Sequence, residues 1–281
     1  MRTLWISKRT GRLRTGTRIS ELRKLFETGI TVRAIEEPIQ CCAISDPAPE
    51  IAQKMHQLDF DVIGVKDSQD GHVIGYINAC ELVQGRCREY LQAFRVSDLV
   101  SDSTPLINVL TLLRDRQRVF ILTENNVTGI ITRADLQKPP IRILLFGLVS
   151  LLEIHLSYLV RRFYPNDSWK EKLSKRRIDD AKAMMEQRTS RNEKMDLVDC
   201  LQFCDKRYLA TAHPDICRML HFESSNLGNK LLKDIEKLRD KLAHSQDIVT
   251  GTTWERIIDL VGNVEKLIEG SEKYVYETTF A

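Results

Sequence analysis

Arg239 and His244 stand five residues apart in the run Arg239-Asp240-Lys241-Leu242-Ala243-His244. An imidazole takes or gives a proton near neutral pH, and a guanidinium holds two phosphate oxygens at once, so the pair suits proton transfer beside a phosphate. Asp240, four positions before His244, could orient the imidazole on a helix. Five positions turn roughly 140° around an ideal helix, so Arg239 and His244 do not share one face of it. A helix end near His244, or a second subunit, must bring them together. The plainer alternative is a surface ion pair of Arg239 with Glu236 or Asp234, and a His244 that caps a helix.

A second constellation is Gly129-Ile130-Ile131-Thr132-Arg133-Ala134-Asp135. A glycine lets backbone approach a ligand closely. Thr132 is placed to start a helix, where free N–H groups and a hydroxyl can hold a phosphate. Asp135 can accept hydrogen bonds from both hydroxyls of a ribose. The alternative is that Thr132 merely caps the helix and Asp135 is a favourable first-turn acid.

The elements around this motif repeat. Ser45, Asp46 and Pro49 match Ser101, Asp102 and Pro105 at an offset of 56, and Gly75 matches Gly129 at an offset of 54. Each copy runs from a Ser-Asp turn to an amphipathic helix, then two short apolar strands, Val62–Val65 and Val73–Ile77 or Val119–Leu122 and Val127–Ile131. A closing helix begins at Ala79 or Ala134. Short leading segments, 31–35 and 96–99, precede the copies. This β-α-β-β-α unit resembles the CBS domain over residues 28–138, and a tandem pair is expected because one copy is too short to bury its own sheet. The resemblance implies an adenine nucleotide (AMP, ADP or ATP) as regulatory ligand, at Gly129, Thr132 and Asp135. The first copy reads Gly75-Tyr76-Ile77-Asn78-Ala79-Cys80-Glu81, so Asn78 and Glu81 replace the hydroxyl and the aspartate and change the reach of that site.

After Lys138-Pro139-Pro140 strand patterns give way to helical ones, over about 141–164, 169–188, 193–212, 214–222, 226–244 and 253–270. The expected fold is therefore α+β, a tandem CBS pair followed by an all-α bundle. The helical half, 139–281, with its Arg239…His244 run, resembles the HEPN superfamily. That resemblance implies a metal-independent endoribonuclease, in which His244 moves the 2′-OH proton, Arg239 stabilises the phosphorane and a homodimer pools two motifs in one cleft. Glu153 interrupts the apolar face of the first bundle helix and could pair with Arg239, as an acid on the first helix does in some relatives. The other readings are a nucleotide sensor whose helical half docks a partner, and an antitoxin-like partner of a nucleotidyltransferase. Stress response or phage defence is the context that the domain pairing suggests.

His155, also on that helix, reads as a satisfied core histidine. His213, Cys217 and His221, with Cys200 and Cys204, have spacings zinc can use, but Pro214 breaks the helix and no C-x-x-C accompanies them. Buried cysteines and ordinary histidines, with no metal, are the expectation.

The chain has 281 residues, 42% hydrophobic and 29% charged, a net charge of +3 and seven cysteines. The charge is too small to define a partner. An odd cysteine count suits a reducing compartment, and residues 1–24 lack the apolar core of a signal peptide, so a cytoplasmic location without membrane contact is expected. The apolar run Ile143–Leu152 is too short to cross a bilayer and reads as a buried helix. Residues 1–27 read as a basic arm. Within residues 1–24, Arg2, Lys8, Arg9, Arg12, Arg14, Arg18, Arg23 and Lys24 stand against one acid, Glu21, in reach of nucleic acid phosphates or simply solvated.

Overall fold

The computed structural model describes residues 4–6, 13–15, 18–68, 71–191, 193 and 195–280. Arg2, Lys8, Arg9 and Arg12 of the expected basic arm lie outside them. The chain divides into two compact units, Phe26–Pro140 and Met1–Leu25 with Ile141–Ala281. At its start, β1 (Leu4–Ile6) pairs antiparallel with β2 (Leu13–Thr15). Within the stretch read as an arm, α1 (Ile19–Thr28) is helical, with Ile19 and Phe26 buried.

The unit Phe26–Pro140 opens with β3 (Glu37–Pro38) and β4 (Cys41–Ala43), then α2 (Ala48–Gln57), β5 (Val62–Lys66) and β6 (Val73–Asn78). The second copy follows as β7 (Gln92–Ala93), β8 (Leu99–Ser101), α3 (Leu106–Arg114), β9 (Arg118–Thr123) and β10 (Asn126–Thr132). Pro49 in the first turn of α2 and Pro105 before α3 sit where a missing N–H is harmless. From there Ile51 and Met55, or Leu106, Val109, Leu110 and Leu113, form the buried stripe. The closing helices expected from Ala79 and Ala134 are only 3-10 turns, Ala79–Glu81 and Arg133–Gln137. Pro139 and Pro140 stop the second from continuing, because the residue before a proline is pushed out of the helical region.

The sheets exchange strands. One has the order β4-β5-β6-β7, the other β3-β10-β9-β8. The strand that leads into each copy thus pairs with the other copy's last strand: Gly129 faces Pro38 on β3, and Gly75 faces Ala93 on β7. Neither copy completes its sheet alone, the physical reason they come as a pair. Between them Tyr76, Phe94 and Phe120 form an aromatic seam, with the Tyr76 and Phe120 ring centroids 4.9 Å apart.

In the other unit α4 (Pro139–Phe163) is the central helix. Leu144, Leu148, Leu152, Leu156 and Leu159 are all buried. Among the described residues it is the one helix long and apolar enough to cross a bilayer, and 61% of its apolar stretch is buried in the protein. Around it run α5 (Lys175–Thr189), α6 (Phe203–Ala212), α7 (Pro214–Met219), α8 (Ser225–Ala243) and α9 (Trp254–Phe280). α5 and α6 begin later than their sequence periodicity predicts. Before α5 the chain makes 3-10 turns interrupted at Asn166 and Asp167, whose φ values of 55° and 57° are left-handed. Before α6 a 3-10 turn occupies Leu197–Cys200. α9 runs ten residues beyond its expected end at 270. α1 lies against it, the Ile19 N–H donating to Glu272 Oε1 at 2.8 Å and Arg23 facing Glu265 at 3.7 Å.

Candidate functional site

The first group is built where β3 meets the end of β10. Asp135 is 7% exposed. Its Oδ2 accepts the Thr132 N–H at 2.7 Å and the Thr132 hydroxyl at 3.0 Å. Its Oδ1 lies 2.9 Å from Lys138 Nζ, which also donates to the Ile35 carbonyl at 2.6 Å and to Glu37. Burial opposes the charge on Lys138, but its bonds to Glu37 and Asp135 outweigh it and hold the amine above the usual lysine range. Three of roughly four carboxylate lone-pair positions on Asp135 are therefore in use inside the protein. Thr132 does cap the turn that follows it, so the capping geometry is present and any ligand role of these residues comes on top of it.

Gly129 differs from its expected use. A side chain there would meet the Glu37 carbonyl at 3.2 Å and Glu36 Oε2 at 3.4 Å. The glycine makes room for the leading strand of the first copy. Gly75 does the same, since a side chain there would collide with the Gln92 carbonyl and with Leu91.

The equivalent corner of the first copy is closed by its own side chains. Asn78 Nδ2 donates to Glu81 Oε1 at 3.0 Å, and Gln92 Nε2 reaches both Glu81 oxygens at 2.9 and 2.7 Å. Arg118, from β9 of the second copy, donates to Asn78 Oδ1 at 2.6 Å and lies over the Tyr76 ring. Lys138, Glu37, Gln92 and Arg118 went unnoticed in the sequence: Lys138 reaches Asp135 from three residues on, whereas Glu37, Gln92 and Arg118 come from other strands.

The second group lies at the C-terminal end of α8. His244 is the capping residue just past Ala243, at φ −99° and ψ 12°, so the helix end required between it and Arg239 is there. Arg239 Nε faces Glu153 Oε2 on α4 at 3.7 Å, and Arg239 Nη1 donates to Asp240 Oδ1 at 3.1 Å. The other Glu153 oxygen takes a hydrogen bond of 2.9 Å from Lys206 on α6, a lysine only 3% exposed. Asp240 does not orient the imidazole: its carboxylate turns to Arg239, and the exposed His244 ring has no partner among the described residues. Nor do Glu236 and Asp234 pair with Arg239; Glu236 binds Arg207 at 3.0 Å and Asp234 binds Arg256 at 2.7 Å.

Of the remaining singled-out groups, His155, His213 and Cys217 have structural partners. His155 is 1% exposed, its Nδ1 is 2.9 Å from Ser271 Oγ, and burial pushes its pKa down to about 4. His213 accepts the Asp215 N–H at the start of α7, and the Cys217 thiol points at the Thr211 carbonyl. All seven cysteines are free. Among the described residues no three His, Cys, Asp or Glu side chains are placed to hold a metal ion.

Among the solved structures similar to part of this chain are the following three. An uncharacterized conserved protein from Pyrococcus horikoshii is 17% identical over 39% of this chain and 90% of its own, with a TM-score of 0.34. A CBS domain-containing protein of unknown function from Bacillus anthracis is 13% identical over 41% and 94%, with a TM-score of 0.36. The CBS-pair protein CBSX2 from Arabidopsis thaliana is 16% identical over 41% and 97%, with a TM-score of 0.36. No curated protein matches the chain. Residues 99–138, from β8 through the motif to Lys138, match the CBS domain family, and this segment of the chain is a CBS domain.

Proposed function

We propose that the chain is a nucleotide-regulated endoribonuclease: the CBS pair binds an adenine nucleotide, and the helical unit cleaves RNA as a homodimer without a metal ion. The nucleotide reading rests on the CBS domain at 99–138 and on the joining of its motif to the leading strand of the first copy. Thr132 and the turn after it offer hydroxyl and N–H groups to a phosphate, and the free position on Asp135 Oδ1 suits a ribose hydroxyl. The first-copy site, with Asn78 and Glu81 consumed by Gln92 and Arg118, stays empty, so one nucleotide binds per chain.

The observation that carries the ribonuclease reading is the tether of Arg239 to Glu153. It holds the Nε edge of a 39% exposed guanidinium and leaves Nη2 without a partner among the described residues, turned to a phosphate. His244, one step past the helix end, moves the proton. The test is incubation of purified full chain with total RNA, with and without ATP, AMP and EDTA. Cleavage that survives EDTA and responds to nucleotide is expected; an inert protein under all conditions refutes the reading.

A second reading has its own support. Asp240 serves Arg239 and not His244, which leaves the imidazole unoriented. Beside them runs a groove of about 420 Å³ between α8 and α9, lined by Asp234, Lys237, Lys241, Thr252 and Arg256. In this reading the helical unit docks a protein partner, an antitoxin-like pairing with a nucleotidyltransferase included, and the nucleotide controls that docking. Copurification of a stoichiometric partner with an RNA-inert chain favours it.

A further inference from the structure

Glu36 Oε2 is buried and has no hydrogen-bond partner. Buried polar atoms are nearly always paired, and an unpaired carboxylate oxygen is among the costliest exceptions. No donor is among the atoms closest to it above Gly129. The groups that share the space above Gly129 are the Glu37 carbonyl, itself an acceptor, and a carbon of Ile121. Lys138, the cation of this corner, has its three N–H groups engaged by the Ile35 carbonyl, Glu37 and Asp135.

The internal repeat supplies the control. Gly129 faces Pro38 and Gly75 faces Ala93, so Glu36 and Leu91 each stand two residues before the partner of a motif glycine. Each side chain then lies over that glycine, Glu36 over Gly129 and Leu91 over Gly75. In the first copy, where the polar corner closes on itself, the cover is a leucine. Packing therefore asks for an apolar side chain at this position. The second copy, the one with a motif threonine and aspartate, has a carboxylate in its place.

We propose that Glu36 reads the base of the nucleotide, accepting a hydrogen bond from the exocyclic amino group of adenine. The proposal rests on the nucleotide-binding reading above and deepens it. The donor comes from the base and not from the ribose for a reason of length. Gly129 and Thr132 are three strand residues apart, about 10 Å at the rise of an extended chain, too far for hydroxyls of the sugar held at Thr132 and Asp135. A nucleotide with its phosphate at the turn after Thr132 and its sugar at Asp135 extends its base back along β10 toward Glu36.

The test is calorimetric titration of the full chain with AMP and with purine riboside 5′-monophosphate, which lacks only the amino group. The wild type is expected to bind AMP roughly tenfold or more tightly than the analogue, the worth of one charge-assisted hydrogen bond. Glu36→Leu, which copies Leu91, is expected to bind both nucleotides equally and to melt, ligand-free, no lower than the wild type. Glu36→Met gives the same readout if leucine does not fold. A wild type that binds the two nucleotides equally, or a Glu36→Leu protein that keeps the preference, overturns the assignment of Glu36 while the nucleotide reading stands. A wild type that binds neither overturns that reading, and this assignment with it.

Discussion

Glu153 Oε2 lies 3.7 Å from Arg239 Nε, a carboxylate of the long apolar helix α4 reaching the end of α8. On α4 that residue breaks a run of buried leucines, which has a cost unless the charge is matched. Two cations match it: Arg239 on one oxygen and, at 2.9 Å, Lys206 on the other. Arg239 is in turn shared between Glu153 and Asp240, whose Oδ1 accepts from its Nη1 at 3.1 Å. The pair thus differs from an ordinary surface ion pair, in which the partners satisfy only each other.

This arrangement predicts a non-additive pair of substitutions. Lys206→Met removes the cation and leaves Glu153 short of its nearer partner. Removing one member of a buried pair costs about 3–5 kcal/mol; the partial exposure of Glu153 and its remaining partner Arg239 reduce the expected loss to about 2 kcal/mol. Adding Glu153→Gln removes the stranded charge and is expected to recover about half of that loss. Urea unfolding of the two single variants and the double variant checks it. Simple additivity of the three values sinks the coupling.

Asp135→Ala is expected to weaken AMP binding roughly tenfold or more, the worth of a lost charged hydrogen bond. The structure adds a second consequence. Thr132 N–H and the Thr132 hydroxyl lose their acceptor and Lys138 loses one of its three, so the CBS unit is expected to lose about 1–3 kcal/mol as well. Asp135→Asn keeps an acceptor for Thr132 and separates the two effects. Calorimetry and thermal melting of both variants measure them; unchanged affinity in Asp135→Ala removes the residue from the site.

How far these sites were legible differs with what builds them. The repeat, the motif at Gly129–Asp135 and the break at Pro139-Pro140 lie in contiguous residues, and the four strands read within the two copies fall within a residue of their expected ends, while the leading segments 31–35 and 96–99 hold 3-10 turns. The partners of the motif were less legible. Lys138 read as a linker, and Glu36, just past the leading segment 31–35, carried no mark, because the exchange of β3 into the second sheet is a tertiary fact. On the helical side the Glu153–Arg239 pair was expected from one misplaced charge on an apolar helix, and it is there. Asp240 four residues before His244 looked equally well placed. Since the helix stops at Ala243, His244 leaves the helical path, and Asp240 meets the guanidinium beside it instead. The positive φ at Asn166 and Asp167, which delays α5, has no signature beyond two turn-prone residues.

Acid is expected to destabilise the helical unit through His155. Its folded pKa of about 4 lies below the ordinary 6.5, so between these values the unfolded chain takes up a proton that the folded one refuses. Stability is therefore full above pH 6.5 and falls as pH drops toward 4, by roughly 3 kcal/mol at most. Ser271 and Glu272 face the ring. Burial raises the Glu272 pKa, and that group contributes with the opposite sign, its stability being lost as pH rises through its folded pKa. His155→Gln keeps a hydrogen-bonding side chain and removes the titration. Urea unfolding at pH 7.5 and pH 5 is expected to show a smaller acid loss in the variant; equal losses rule out His155 as the source.

The chemistry makes the sharpest demand. His244→Ala and Arg239→Ala are each expected to abolish RNA cleavage with no change in circular dichroism, His244 alone being worth about 10²–10⁴-fold as the proton-transfer group. Attack by the 2′-OH requires products ending in a 2′,3′-cyclic phosphate, intact DNA and activity that EDTA leaves in place. The exposed His244 ring has no partner among the described residues, and in the ribonuclease reading the group that orients it is expected from ligand or from a second chain. If a second chain supplies the Arg239 that acts with each His244, the two inactive variants complement each other. In the shared cleft of a mixed dimer, one of the two arginine–histidine pairs is then intact. Co-refolding the two variants is expected to restore about a quarter of wild-type activity, since half of randomly mixed dimers are hybrid and each holds one whole pair where the wild type holds two. Light scattering on the full chain gives the oligomeric state in the same samples. A monomer that cuts RNA, or a dimer whose variants fail to complement, confines the pair to one chain and removes the composite cleft.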